Sequence, residues 1–182
     1  MLNLNLANKL TLARLALLPF IILLLFIPAK WAAWTVLVLY IIGAATDWLD
    51  GWVARRYNQI SDFGRFLDPI ADKVFVVTIL LMLVAIERIG GIFTLAVIII
   101  IAREFLVAGL REFLGPKNIV LPVTPLAKWK TALQMVATGV LIVGPYVPLG
   151  GALGLLALSA AAALTVMTGW NYLKSSWVHI KG

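Results

Sequence analysis

The chain contains no cysteine and a single histidine, His179, and only 13% of its 182 residues are charged. The lack of cysteine excludes disulfides, thiolate nucleophiles and zinc–thiolate sites, and one histidine cannot form a histidine metal cluster. Acidic residues are also few, with eight Asp and Glu against fifteen Lys and Arg. Soluble domains usually carry about 25% charged residues, so this scarcity of charge excludes an ordinary soluble domain.

Apolar residues dominate what is present. They make up 63% of the chain, and the mean hydropathy is +1.03. In a bilayer only helices and closed barrels satisfy every backbone polar group, and the long apolar runs here lack the alternation of a barrel strand. We therefore predict an all-α integral membrane protein. At about 20 residues per span, the length allows six or seven crossings within one membrane domain, residues 1–182.

The boundaries of the apolar runs predict six transmembrane helices that follow an N-terminal amphipathic lead-in. The lead-in covers about 3–13, and the spans cover about 14–29, 31–53, 67–86, 91–114, 125–145 and 150–172. Thr124 before Pro125 predicts a helix N-cap with proline at the first helical position. The prolines and glycines between 145 and 151 predict a break before the last span.

Basic residues are distributed unevenly around these spans. Only Lys30 and Arg88 fall in the turns after spans one and three, and the turn after span five has none. Eleven others fall on the opposite side: Lys9, Arg14, Arg55, Arg56, Arg65, Arg111, Lys117, Lys128, Lys130, Lys174 and Lys181. The positive-inside rule then predicts cytoplasmic termini and cytoplasmic loops at about 54–66 and 115–124. The net charge of +7 suits a surface facing anionic lipid headgroups, and its spread over several loops argues against a nucleic-acid-binding module.

Five of the eight acidic residues cluster within 26 positions: Asp47, Asp50, Asp62, Asp68 and Asp72. On a helix Asp47 and Asp50 share a face, and Asp68 and Asp72 form an i,i+4 pair. Carboxylates one turn apart at membrane depth repel each other and are costly to bury unless a cation compensates them. Oxygen ligands without His or Cys favour a hard ion, Mg²⁺ or Mn²⁺, and two facing pairs could hold two such ions.

Small and basic residues occur at fixed distances from these acids. The full segment reads Asp47-x2-Asp50-Gly51-x2-Ala54-Arg55-x8-Gly64-x3-Asp68-x3-Asp72. Gly51, Ala54 and Gly64 would let a ligand or a backbone approach closely. Eight fixed positions match by chance about once in 10¹⁰ start positions. This segment resembles the signature of the CDP-alcohol phosphotransferase family, and none of its positions departs from it.

The resemblance extends over nearly the whole chain. It includes the opening Asn8-Lys9-Leu10-Thr11-Leu12-Ala13-Arg14, then Arg103-Glu104-Phe105-Leu106 with Arg111-Glu112, and Lys128-Trp129-Lys130-Thr131. These segments resemble bacterial family members that transfer a phosphatidyl group from CDP-diacylglycerol to glycerol 3-phosphate and release CMP. The resemblance implies six transmembrane helices, a homodimer, a divalent metal and a cytoplasm-facing active site in the bacterial inner membrane.

The resemblance also implies roles for single residues. It assigns the metal to Asp47, Asp50, Asp68 and Asp72, the nucleotide donor to Gly51, Ala54, Arg55 and Gly64, and the general base to Asp72. For the acceptor's own phosphate we nominate Arg103 and Arg111, which share a helix face, together with Lys128. Three ordinary interpretations compete: Asp68 before Pro69 resembles a helix N-cap, Arg103 and Glu104 could pair with each other, and Lys128 and Lys130 could be membrane anchors.

Two alternatives for the function stay open at this point. The signature addresses the shared CDP-linked donor, so the acceptor could instead be phosphatidylglycerol, inositol phosphate or serine. A six-helix chain with intramembrane acids could also be a divalent-cation transporter. Against transport, the acids gather at one membrane face, and transport would not require the Gly, Ala and Arg positions of the segment.

Overall fold

We describe the protein from a computed structural model, which describes residues 6–56, 62–117, 119 and 124–180. These residues form six α-helices and contain no strand: α1 Leu6–Leu25, α2 Lys30–Arg56, α3 Asp62–Ala85, α4 Phe93–Leu114, α5 Pro125–Val143 and α6 Gly150–Ile180. Two 3-10 turns, Gly115–Lys117 and Gly144–Tyr146, follow α4 and α5. The predicted all-α class is confirmed for this part of the chain.

Four helices are long and apolar enough to cross a membrane, among the residues that the structure describes. They are Asn8–Leu25, Phe93–Leu114, Pro125–Tyr146 and Gly150–Trp177, and a shorter apolar helix covers Lys30–Thr46. In α3, Asp68, Asp72 and Lys73 interrupt the first half, and the apolar run after Lys73 is only about 18 Å long at 1.5 Å per residue. A hydrocarbon core is about 30 Å thick. The described residues are therefore those of a helical membrane protein with four candidate spans, and a count of six spans stays a prediction.

Several helices are longer than the apolar runs indicated. α1 is continuous from Leu6, so the described part of the lead-in and the first span belong to one helix. α3 begins at Asp62 rather than near 67, and α6 continues to Ile180 rather than ending near 172. Hydropathy marks only the residues suited to lipid, whereas helical hydrogen bonds continue into segments where charged side chains meet headgroups and water.

The helices form two compact units, Met1–Arg88 and Ile89–Gly182. In the first unit α1 packs against both α2 and α3. Its buried face contains Leu18, Ile21 and Leu25, at the three- and four-residue spacing of an amphipathic helix. Toward the N-terminus the same helix buries polar side chains, Asn8, Thr11 and Arg14, which are 3%, 0% and 1% exposed. α1 therefore changes from an apolar to a polar buried surface along its length.

A glycine on α2 makes room for an aromatic ring of α3. The rings of Tyr40 and Phe75 stack with centroids 6.0 Å apart and an angle of 5° between their planes. A Cβ added at Gly43 would lie 2.3 Å from Cζ of Phe75, which is closer than real contacts allow. A side chain at this position would require the Phe75 ring to move.

In the second unit α6 packs against both α4 and α5. Small residues line its buried side, including Gly154, where an added Cβ would lie 2.7 Å from Cγ of Leu141 on α5. The predicted N-cap of α5 is confirmed, because the backbone N–H of Ala127 donates to Thr124 Oγ1 at 3.3 Å and Pro125 follows directly. The predicted break before the last span is the 3-10 turn that precedes α6.

Candidate active site

Two predicted metal ligands of the first unit have described side chains, Asp68 and Asp72. They lie one turn apart on α3, and both are exposed. The hydroxyl of Thr11, a fully buried side chain on α1, donates a hydrogen bond to Oδ1 of Asp68 at 2.9 Å. Asp68 lies well inside α3, which begins at Asp62, so it does not cap the helix. Its carboxylate is instead oriented by a neighbouring helix.

The rest of the predicted donor site is described only in part. The backbone of α2 is helical through the four positions Asp47, Asp50, Gly51 and Ala54 and on to Arg56, but the side chains of Asp47, Asp50 and Arg55 lie outside the described residues. Gly64 is buried in the first turns of α3.

The carboxylates that are described suit a hard divalent cation in their chemistry. Asp68 and Asp72 offer oxygen ligands, which suit Mg²⁺ and Mn²⁺, and both side chains are exposed. Among the described side chains no group of three or more His, Cys, Asp or Glu is placed to hold a metal ion. The four-aspartate metal site therefore stays a prediction, since two of its members have no described side chain.

The second unit contains a cluster of charged side chains from α4 and α5, with a threonine of α6 beside it. On α4, Arg103 Nη1 donates to Glu104 Oε1 at 3.2 Å, and Arg103 Nη2 reaches Thr168 Oγ1 on α6 at 3.4 Å. Lys130 on α5 donates to the same oxygen of Glu104. The side chains of Arg103 and Lys130 are only 13% and 3% exposed. One carboxylate thus compensates two largely buried cations.

An aromatic ring holds two arginines of this unit. The guanidinium carbons of Arg103 and Arg111 lie 5.4 and 5.7 Å from the centroid of the Tyr172 ring, within the range of cation–π attraction. Tyr172 is 4% exposed and packs with Val107 and Leu114. Because this ring is fixed in the core, it restrains both guanidinium groups.

The second unit also contains a close contact of the Arg103 side chain and two buried polar atoms without a hydrogen-bond partner among the described residues. A Cβ at Gly169 would lie 3.0 Å from Cγ of Arg103, so glycine on α6 makes room for the arginine stem. Nε of Arg103 and Oε1 of Gln134 are buried and have no hydrogen-bond partner among the described residues. Buried polar atoms usually have a partner, so these two atoms mark places where a bound molecule or water would be stabilised.

The structure brings together some of the predicted acceptor residues. Arg103 and Arg111 both lie against Tyr172, as their shared helix face suggested. Lys128 is exposed at the start of α5, whereas Lys130 is buried against Glu104. Burial supports a role for Lys130 within the protein rather than as an anchor at the membrane surface. The expected pairing of Arg103 with Glu104 is present and is extended by Lys130.

Sequence reasoning missed the polar residues that support the charged ones. Thr168 and Tyr172 on α6 both contact Arg103, and Thr11 contacts Asp68. A signal was available on α6, because four polar or aromatic residues recur there every three or four positions in an apolar helix. They are Thr165, Thr168, Tyr172 and Ser176, and all four are buried.

The sequence of the chain is similar to that of a known protein family. Residues 4–169 match the model of the CDP-alcohol phosphatidyltransferase family. The chain therefore belongs to this family of membrane enzymes, and the resemblance inferred from the spacing of the aspartates is confirmed.

Individual relatives are similar over almost their whole length. The chain is 42% identical over 177 residues to a protein of Rickettsia bellii, with 94% of each chain covered. It is 37% identical to proteins of Cereibacter sphaeroides and Bacillus subtilis, with 98% and 97% of each chain covered. All three relatives are named CDP-diacylglycerol–glycerol-3-phosphate 3-phosphatidyltransferase.

Proposed function

We propose that the protein transfers the phosphatidyl group of CDP-diacylglycerol to glycerol 3-phosphate, and so is a phosphatidylglycerophosphate synthase. Family membership and the names of relatives at 37–42% identity over nearly full length support this activity. The observation that supports glycerol 3-phosphate as the acceptor is the pair of guanidinium groups that contact the Tyr172 ring. A phosphomonoester is a dianion, and arginine forks are well suited to bind one.

The donor would be bound by residues of the first unit. We assign two Mg²⁺ or Mn²⁺ ions to the ligands Asp47, Asp50, Asp68 and Asp72, and the nucleotide to Gly51, Ala54, Arg55 and Gly64. The metal, when bound, offsets the negative charge of the diphosphate and of the departing CMP. The exposure of Asp68 and Asp72 and their all-oxygen chemistry support this assignment.

In the proposed reaction a hydroxyl oxygen of glycerol 3-phosphate attacks the phosphorus that bears diacylglycerol. The bond from that phosphorus to the bridging oxygen breaks, and CMP leaves with the electron pair. Asp72 takes the proton of the attacking hydroxyl, a role that contributes about 10² to 10⁴ in rate. The remaining work of the protein is to position the substrates, as in other phosphoryl transfers.

The acceptor would be bound by the second unit. We assign its phosphate to Arg103 and Arg111, with Lys128 as a further cation at the start of α5. The unpartnered Nε of Arg103 supports the assignment, because it is a buried donor with spare capacity. The ion pair of Glu104 with Lys130 would keep Arg103 in place and leave net positive charge on the cluster.

The proposed setting is the bacterial inner membrane, with six transmembrane helices in a single domain over residues 1–182. Both termini would face the cytoplasm, CDP-diacylglycerol would enter from the inner leaflet, and the protein would act as a homodimer. The excess of basic residues in the predicted cytoplasmic loops supports the orientation. Family membership argues against the cation-transporter alternative.

The test is an acceptor screen with the full chain purified in detergent. We expect CMP release from CDP-diacylglycerol with Mg²⁺ and glycerol 3-phosphate, and little release with phosphatidylglycerol, inositol phosphate or serine. A preference for any of the last three would overturn the acceptor while preserving the reaction class. Absence of CMP release with every acceptor, from folded protein, would overturn the proposed function itself.

A further inference from the structure

Thr11 makes a contact unlike those of most threonines in this protein. Inside a helix a threonine hydroxyl commonly bonds the carbonyl of the preceding turn. Thr35, Thr131 and Thr138 do this, at 2.9, 3.0 and 2.9 Å. The hydroxyl of Thr11 reaches another helix, where it donates to a carboxylate oxygen 57 residues away in sequence. It does so from a fully buried position on the polar end of α1.

Few groups within α3 itself restrict the orientation of the Asp68 carboxylate. Pro69 follows Asp68 within α3 and has no N–H, so the helix lacks one backbone hydrogen bond at this point. Asp72 lies one turn away and repels Asp68 when both are ionised. Asp68 is also exposed, so surrounding side chains do not confine it by packing. The hydrogen bond from a buried hydroxyl therefore limits which orientations the carboxylate can adopt.

We propose that Thr11 is a positioning residue that holds the Asp68 carboxylate in the orientation used to bind the divalent cation. Ligating carboxylates are commonly fixed by hydrogen bonds from groups that do not touch the metal. Thr11 donates to Oδ1, and the carboxylate keeps its remaining lone pairs for a cation. This inference rests on the proposed function, since it takes Asp68 to be a metal ligand.

The test measures metal binding directly, without turnover. Mn²⁺ is titrated into the purified full chain in detergent, with no substrate present, and free Mn²⁺ is followed by electron paramagnetic resonance. Thr11→Val keeps the shape of the side chain and removes the donor, so we expect Mn²⁺ affinity to fall about 10-fold. Thr11→Ser restores the donor and should bind close to wild type. Thr35→Val is the control, because the Thr35 hydroxyl donates to a carbonyl of its own helix in the same unit.

A double-mutant comparison separates positioning from general damage. In an Asp68→Asn background, Thr11→Val should cause no further loss of Mn²⁺ affinity, because Thr11 acts only through the carboxylate that the first change removes. An equal further loss in that background would overturn the inference, as would a Thr11→Ser variant as weak as Thr11→Val. If Thr11→Val does not fold, as judged by gel filtration, Thr11→Ala serves for the same comparison.

Failure of this inference is distinguishable from failure of the proposed function. A wild-type protein that binds Mn²⁺ and releases CMP, together with a Thr11→Val variant of unchanged Mn²⁺ affinity, would reject the role of Thr11 alone. A folded wild-type protein that neither binds Mn²⁺ nor releases CMP would reject the proposed function, and the role of Thr11 with it.

Discussion

Lys130 on α5 donates a hydrogen bond to the Glu104 carboxylate on α4, with the lysine side chain only 3% exposed. The same carboxylate oxygen accepts from Arg103 at 3.2 Å. A buried ion pair contributes little net stability compared with apolar packing, but removal of one partner leaves an uncompensated buried charge. Glu104 therefore supplies the negative charge that compensates both Arg103 and Lys130.

Neutralising this carboxylate should destabilise the protein. In Glu104→Gln the shape is kept, but Arg103 and Lys130 lose their compensating charge, at a cost of about 3 to 5 kcal/mol. Thermal unfolding in detergent should show a clearly lower Tm. Glu112→Gln, at an exposed position of the same helix, is the matched control and should unfold like wild type. Equal Tm values for the two variants would contradict the importance of the pair.

Removal of the Tyr172 ring should weaken acceptor binding. Tyr172→Leu loses both cation–π contacts, worth about 1 to 2 kcal/mol together, so we expect KM for glycerol 3-phosphate to rise about 5-fold to 30-fold. Tyr172→Phe keeps the ring and should behave much more like wild type. KM for CDP-diacylglycerol should change little in either variant. A loss in Tyr172→Phe equal to that in Tyr172→Leu would show that the hydroxyl, not the ring, matters.

Substitution of Arg111 should weaken binding of the acceptor and leave binding of the donor unchanged. Loss of a charge-assisted hydrogen bond costs about 1.5 to 3 kcal/mol, so Arg111→Ala should raise KM for glycerol 3-phosphate about 10-fold to 150-fold. Arg111→Lys should rescue part of this, because a point charge replaces a two-pronged fork. Lys128→Ala should have a smaller effect, since Lys128 is exposed. An equal rise in KM for both substrates would instead indicate that Arg111 binds the donor or is needed for folding.

Asp72 should be needed for turnover more than for donor binding. Chelation should abolish CMP release, and Mg²⁺ or Mn²⁺ should restore it. Asp72→Asn removes the proposed base, so kcat should fall about 10²-fold or more while CDP-diacylglycerol still binds. Asp68→Asn should also lose turnover, with Mn²⁺ binding weakened. A nearly active Asp72→Asn enzyme would refute the role of Asp72 as base.

Cysteine labelling can test the orientation cleanly, because the chain has no cysteine of its own. Lys30→Cys should react with an impermeant maleimide in intact cells, whereas Lys9→Cys should react only after the membrane is opened. Both lysines are at exposed positions. The reverse pattern would invert the orientation and with it the leaflet that supplies the donor.

The sequence alone was sufficient to predict that this is a membrane protein, to which family it belongs and which residues form the signature. Composition excludes a soluble domain, and the spacing of the aspartates is too specific to arise by chance. Local rules were also reliable: the Thr124 N-cap is confirmed, and Arg103 and Arg111, about two helical turns apart, lie on one face. Such features depend on chemistry within one helix or on composition, which a sequence displays directly.

The tertiary structure decided which of two similar residues is buried and what supports the site. Lys128 and Lys130 lie about 200° apart around α5, since each residue turns a helix by about 100°, and only packing determined that Lys130 faces Glu104. The contact of Thr11 with Asp68 joins residues 57 positions apart, and Tyr172 meets two arginines of another helix. These relationships depend on how helices pack against one another, because a helix's own periodicity defines its faces but not the neighbour that each face meets.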